Sequence, residues 1–109
     1  KEIFSDGKNF IVDQDGKMGW CDKEGKFIIN PQFEQALFFH GNKLASFQSD
    51  EKYGYIDNEG KIIINPQFDF ALPFVKEKAL VKTGDKYGII NSEGKYEVNP
   101  QFENISFDF

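Results

Sequence analysis

The stretch KYGYIDNEGKIIINPQF, Lys52 to Phe68, decides the fold because the chain contains it three times. The other copies are KMGWCDKEGKFIINPQF at residues 17–33 and KYGIINSEGKYEVNPQF at residues 86–102. The shared glycine recurs after 35 and then 34 residues, at Gly19, Gly54 and Gly88. A period of about 20–50 residues indicates a repeat architecture in which neighbouring units bury one another's apolar faces.

Each copy has the pattern of a β-hairpin. β-Branched and aromatic residues flank a turn that ends in glycine, which is typical of two paired strands. In the second copy we predict strands at residues 53–57 and 61–65, joined by a type I turn with Gly60 in the left-handed region and a bulge after it. Proline lacks the amide that continues a ladder, so the Asn65-Pro66 step is expected to end the second strand. A further strand is predicted before each hairpin, at residues 9–13, 44–48 and 79–83.

The predicted fold class is all-β, a tandem repeat of three three-stranded antiparallel units. The units are expected to form either an open solenoid-like array or a closed pseudo-threefold arrangement. A propeller normally has at least about four blades, which argues against that fold. Because 109 residues suit one domain, we assign residues 1–109 to a single domain. It comprises a partial unit at 1–16 and repeat motifs at 17–33, 52–68 and 86–102.

One face of the hairpins is predicted to form the core. Pairing across the first turn is expected to set Cys21 opposite Phe27 and Trp20 opposite Ile28. The face that is apolar in all three units then comprises Cys21, Ile56 and Ile90; Phe27, Ile62 and Tyr96; and Ile29, Ile64 and Val98. The repeated glycine shares this face, where its missing side chain is expected to leave room for a neighbouring ring. The opposite face gains a charge only in the third unit, at Glu97.

Composition narrows the classes of partner. The net charge is −5, and all 13 basic residues are lysines. Phosphate recognition favours the forked guanidinium of arginine, and an acidic chain repels a polyanion, so no nucleic-acid partner is expected. No apolar run approaches the roughly 18 residues of a membrane span, so no membrane insertion is expected. No signal peptide is apparent in this chain, and the compartment is left open.

Chemically reactive side chains are few. His40 is the only histidine, and it lies between two units without a partner at a fixed spacing, so we interpret it as a surface residue. Cys21, the only cysteine, takes the place of Ile56 and Ile90 and is interpreted as a small core residue. The acidic residues of the turns lack the dense oxygen ligands of a calcium loop. We therefore expect no catalytic residue, no metal site and no cofactor.

The recurring pattern resembles the bacterial WG (KWG) repeat family. It reads Lys-aromatic-Gly-aromatic-Ile-Asp in its first half and Gly-Lys followed by Pro-Gln-Phe in its second. The Pro-Gln-Phe copies match well, whereas the Trp-Gly pair that names the family appears as Met18-Gly19, Tyr53-Gly54 and Tyr87-Gly88. The resemblance implies a β-rich repeat without catalytic residues.

Two functional hypotheses follow. Repeat arrays offer extended surfaces, so the leading hypothesis is a non-catalytic scaffold for protein–protein interaction. The alternative is a carbohydrate or cell-wall binding module that uses exposed aromatic residues, with a glycan as the partner. An enzyme is the least favoured class, because no nucleophile, base or metal set is present. The candidate binding surface comprises Trp20, Tyr53, Tyr55 and Tyr87, although rows of aromatic residues more often pack in a core.

Overall fold

The computed structural model describes residues 9–37 and 44–105, and every regular element in them is a β-strand. Neighbouring strands in each of the three sheets are antiparallel. The first sheet contains β1 (Asn9–Gln14), β2 (Lys17–Asp22) and β3 (Phe27–Phe33). The second contains β4 (Gln35–Ala36), β5 (Leu44–Ser49), β6 (Lys52–Asp57) and β7 (Ile62–Phe68). The third contains β8 (Phe70–Ala71), β9 (Lys78–Thr83), β10 (Lys86–Asn91) and β11 (Tyr96–Phe102).

The all-β repeat is confirmed, and the sheets are not closed, so the open array describes this chain. The prediction of three strands per unit misses a short fourth strand. After β3, the chain crosses to the second sheet, where β4 pairs with β5 through Gln35–Gln48 and Ala36–Phe47. The strand β8 joins the second unit to the third in the same way. No described residue belongs to a helix long and apolar enough to cross a membrane.

The predicted glycine turn is confirmed in all three hairpins. Gly60 has a φ of +92°, in the left-handed region that favours glycine. Asp57 fixes the turn, because its Oδ1 accepts hydrogen bonds from the amides of Glu59 at 2.9 Å and Lys61 at 2.8 Å. Asp22 and Asn91 make the same two bonds in the other units. The repeated Asp or Asn therefore holds the hairpin connection closed.

The third strand of each unit continues past the Asn-Pro step, where it was expected to end. In the second unit, Tyr55 pairs with Ile64 and Tyr53 with Phe68, so β7 carries two extra residues over that span. Pro66 has no amide to donate to the neighbouring strand. A bulge at this point lets the strand continue and pair again beyond the proline. It also presses the backbone of β7 onto Gly54, where an added Cβ would lie 2.4 Å from the Ile64 carbonyl oxygen. The glycine thus makes room for the paired strand's backbone, and the expectation of a neighbouring ring is wrong.

A second irregularity reverses part of the predicted core face. Ile56 pairs with Ile62 as expected, but Tyr55 pairs with Ile64, which leaves Ile63 as an extra residue. In the first unit Trp20 likewise pairs with Ile29, so its predicted pairing with Ile28 is wrong. One extra residue changes which side chains share a face. The predicted core positions at Ile29, Ile64, Ile56 and Ile90 are buried, whereas those at Phe27, Ile62 and Tyr96 are exposed.

The middle sheet is buried on both faces. On one face, Ala45, Phe47 and Ile56 pack with the first sheet. On the other, Tyr55, Ile64 and Phe68 pack with the third sheet, against Ala79, Val81 and Ile90. Burying one such large side chain contributes about 1.5–3 kcal/mol, so the contacts between sheets supply most of the core's stabilisation. A unit therefore presents one apolar face to the unit before it and another to the unit after it.

Candidate functional site

Three of the four aromatic residues of the predicted binding surface are buried. Trp20 and Tyr55 are wholly inaccessible, Tyr53 is almost so, and only Tyr87 is half-exposed. The expectation of an exposed platform is therefore wrong for the first three. Their side of the sheet faces the next unit, so a sugar ring has no access to them.

The buried Trp20 and Tyr55 hold equivalent links between units. The indole Nε1 of Trp20 donates a hydrogen bond to the Leu37 carbonyl at 3.2 Å. In the next unit, the hydroxyl of Tyr55 donates to the Leu72 carbonyl at 2.6 Å. Burial raises the pKa of Tyr55 far above its usual range, so this hydroxyl remains protonated. Both side chains thus tie the connecting segment to the sheet that precedes it.

The remaining two tyrosines also have structural neighbours. Tyr53 packs edge-on against Phe70, with ring centroids 5.1 Å apart. Burial, and then the nearby Glu34 carboxylate, raise the pKa of Tyr53. The Nζ of Lys82 lies 5.7 Å from the ring centroid of Tyr87, a cation–π contact that covers one ring face. Tyr53 is therefore closed to a sugar ring, and Lys82 occupies one face of the Tyr87 ring.

Among the described residues, three of the five exposed large apolar side chains occur at one position of the repeat. We define the outer row as Phe27, Ile62 and Tyr96, which begin β3, β7 and β11. Their exposed fractions are 44%, 43% and 38%. Ile63, exposed to a similar degree, widens the row in the middle unit. Large apolar residues are exposed singly on most proteins, but a repeated position forms a series along the array.

The outer row joins neighbouring units at its third member. The Tyr96 ring packs edge-on against Phe68 of the preceding unit, with centroids 6.3 Å apart. Its hydroxyl lies 2.9 Å from the Oγ1 of Thr83. An exposed lysine precedes each member of the row in the sequence: Lys26, Lys61 and Lys95. Each member of the row thus follows an exposed lysine in the sequence, and Tyr96 also contacts the preceding unit.

A small pocket adjoins the first member of the outer row. It has a volume of about 230 Å³ and is lined by Gln14, Asp15, Lys17, Phe27 and Pro31. Ligand sites for small molecules usually measure roughly 300–1,000 Å³. This pocket is smaller than that range, and its lining combines an aromatic ring with one charge of each sign. Its size suits a single side chain of a partner.

The described residues bring no cluster of metal-binding side chains together. No group of three or more His, Cys, Asp or Glu side chains within residues 9–37 and 44–105 could hold a metal ion. His40 lies outside the described residues. Cys21 is half-buried on β2, where it pairs with Phe10 and Phe27. The pKa of Asp22 is lowered, chiefly because the amide of Lys26 donates to its carboxylate, which is the turn contact described above.

A family model described as the WG containing repeat matches residues 18–53, 53–87 and 87–109. The chain belongs to the WG-containing repeat family. WG repeats are a non-catalytic repeat type, and the three matches follow the spacing of the shared glycine. A search of curated proteins and a search of solved structures found no match.

The WG-repeat pattern alone did not identify the outer row. In regular strands Ile62 and Ile64 share a face, which predicts that both belong to the core. The extra residue at Ile63 separates them, and it lies in the short stretch between Gly60 and Pro66. Proline within a strand is confined to edges and bulges, so Pro66 was the available signal for an irregular third strand.

Proposed function

We propose that this WG-repeat chain is a non-catalytic scaffold that binds another protein along the outer row. The observation that carries the proposal is that Phe27, Ile62 and Tyr96 are exposed in all three units. A series of apolar side chains on a rigid sheet edge suits the apolar side chains of a partner, which lose contact with water on binding.

The form of the surface favours a protein over a glycan. Sugar recognition on such a surface depends on stacking against ring faces, and the middle member of the row is Ile62. Trp20 and Tyr55 are buried, and one face of Tyr87 is covered by Lys82. An extended partner would instead place successive apolar side chains beside successive units, one of them in the pocket next to Phe27.

The test compares two matched triple variants. The outer-row variant carries Phe27→Ser, Ile62→Ser and Tyr96→Ser. The control carries Ser at one exposed turn glutamate per unit: Glu24, Glu59 and Glu93. Both variants should keep the wild-type circular dichroism spectrum, because all six side chains are exposed.

Binding is then measured for a protein partner obtained by selection against the wild-type chain. We expect the outer-row variant to bind at least tenfold more weakly, which is about 1.4 kcal/mol, and the control to bind within about threefold of wild type. Equal affinities for both variants would refute the proposed surface. Wild-type binding on a glycan array that is lost in the outer-row variant would favour the carbohydrate function instead.

A further inference from the structure

The third strand of each unit lies at the edge of its sheet. Among the described residues, β3, β7 and β11 each pair with a single strand, which is β2, β6 or β10. The strand β7 belongs to the middle sheet, which packs against a described sheet on either face. An edge strand presents unpaired N–H and C=O groups, and these groups can pair with a strand of another molecule. The edge of β7 is therefore a surface at which a second chain could be added to the sheet.

The composition of β7 favours such pairing. Its seven residues, IIINPQF, carry no charge, and the side chains of Ile62 and Ile63 are 43% and 42% exposed. The strand β3 has the sequence FIINPQF and is equally uncharged. Segments of about six or seven uncharged residues with high β-propensity associate edge to edge unless proline interrupts them. In both strands the interruption is the Asn-Pro-Gln stretch.

The hairpin turn shows where the edge of β7 is open. The amide of Asp57 donates to the Lys61 carbonyl at 2.9 Å. The next pair along the ladder joins Ile56 to Ile62. Hydrogen-bonded and non-hydrogen-bonded pairs alternate between antiparallel strands, so this second pair is a non-hydrogen-bonded one. The N–H and C=O groups of Ile62 therefore point away from β6, beside an exposed side chain.

The Asn-Pro-Gln stretch closes the edge beyond that point. Pro66 has no amide to donate. The Nε2 of Gln67 donates to the Asn65 carbonyl at 3.1 Å, so this acceptor already has a partner. The bulge also displaces the backbone here from a regular ladder. A strand that begins to pair at Ile62 thus meets a missing donor and an occupied acceptor further along β7.

The three units protect this edge in two different ways. In β3, the Nε2 of Gln32 donates to the Asn30 carbonyl at 3.2 Å, as in the middle unit. In β11, the Gln101 side chain makes no hydrogen bond within the described part of the chain. That strand instead carries Glu97 at the place of Ile63. A charged residue in an edge strand also opposes pairing with another strand. The unit that lacks the glutamine bond therefore has a charge, which indicates that the edge itself is protected.

We propose that the repeated Pro-Gln pair is an edge block, which prevents β3 and β7 from pairing with the same strands of a second copy. With the block removed, the apolar stretch that starts at Ile62 becomes a docking edge for β7 of another copy. The block acts on backbone groups of the folded sheet, so its loss increases association of folded chains. This inference concerns association between copies and does not rest on the proposed function.

The test removes the block from the middle unit by Pro66→Thr together with Gln67→Thr. Threonine restores a backbone amide and favours strands, and it lacks the side-chain amide that bonds Asn65. Sedimentation is measured at about 100 μM, within the range in which exposed strand edges associate. We expect the average mass of this double variant to rise severalfold above that of wild type over several days. A folded double variant that keeps the wild-type mass would overturn the proposal.

Two single variants keep the test decisive if the double variant does not fold. Gln67→Thr removes an exposed side chain that bonds a carbonyl, whereas Gln101→Thr removes an exposed side chain at the same repeat position without such a bond. Circular dichroism establishes that each variant is folded before the masses are compared. We expect Gln67→Thr to associate faster than Gln101→Thr. Equal association of the two would overturn the proposal.

A compensating substitution separates edge pairing from general stickiness. Ile63→Lys, added to the double variant, should restore the wild-type mass, because it places a charge where β11 carries Glu97. The matched control adds Glu59→Lys to the double variant instead. This lysine lies in the exposed turn, outside β7, and should leave the association unchanged. Suppression by the turn lysine as strong as that by the strand lysine would refute pairing through the edge of β7.

Discussion

Replacing Gly54 with alanine places a methyl group against the backbone of the paired strand. The added Cβ would lie 2.4 Å from the Ile64 carbonyl oxygen and 2.7 Å from the Pro66 nitrogen. Both neighbours are main-chain atoms held in the bulge, so no side chain can rotate away to relieve the overlap. Overpacking a core typically costs about 1–3 kcal/mol, and here the strand pairing itself must shift, so we expect a loss of about 3 kcal/mol or more.

The matched control for this prediction is Gly25→Ala. No described atom lies within 4 Å of a Cβ at Gly25, but its φ is +86°, so alanine there meets backbone strain without a clash. Left-handed strain costs roughly 1–2 kcal/mol. Urea unfolding followed by circular dichroism gives both free energies by linear extrapolation. If Gly54→Ala is no more destabilising than Gly25→Ala, the bulge does not explain why the repeat has glycine there.

Three further substitutions test the contacts between and within units. Tyr55→Phe leaves the Leu72 carbonyl without its donor and should lower the unfolding free energy measured in urea by about 1–3 kcal/mol. An unchanged free energy would refute the stabilising role of this hydrogen bond. Ser46 is fully buried, and its hydroxyl has no hydrogen-bond partner among the described residues. Ser46→Ala should therefore raise the unfolding free energy by up to about 1 kcal/mol, and a loss would mean that the hydroxyl is bonded. The pKa of Asp69 is lowered, first by the hydrogen bond from Lys52 and then by that from Gly84. A carboxyl with a lowered folded-state pKa stabilises the fold above its unfolded pKa of about 3.9 and loses that effect as the pH falls through the folded pKa. Asp69→Asn should therefore be destabilising at pH 7, and the difference from wild type should shrink as the pH falls through the folded pKa. A loss of unfolding free energy in Asp69→Asn that does not change with pH would contradict this expectation.

Repetition was enough to predict the number of units, the strand class and the glycine turns. The turn that ends at Gly60 could be predicted because the hydrogen bonds that hold it join residues within a stretch of five. The two bulges are different, since they depend on how β7 pairs with β6 across the turn. A shift of one residue reverses a side chain's face, and nothing in the continuous apolar run Ile62-Ile63-Ile64 marks where the shift falls.

The candidate site was mispredicted for the same reason. Trp20 and Tyr55 are aromatic residues on short strands, and an aromatic residue can serve either a core or a platform. Their burial depends on the neighbouring sheet, which the local sequence does not describe. The spacing of Ile62 from Ile64 likewise predicts a core position for Ile62, which is exposed. The stacking of units decides which of these side chains are exposed to solvent. It depends on contacts between residues that are far apart in the chain.

The most direct test of this account compares one deletion at two positions of β7. Ile62→Ala and Ile64→Ala remove the same atoms two residues apart, but Ile62 is exposed and Ile64 is buried between sheets. Urea unfolding should show a loss of about 2–5 kcal/mol for Ile64→Ala and less than about 1 kcal/mol for Ile62→Ala. Equal losses of unfolding free energy, or a larger loss for Ile62→Ala, would contradict the account. They would mean that Ile62 and Ile64 lie on the same face of β7 and that the outer row belongs to the core.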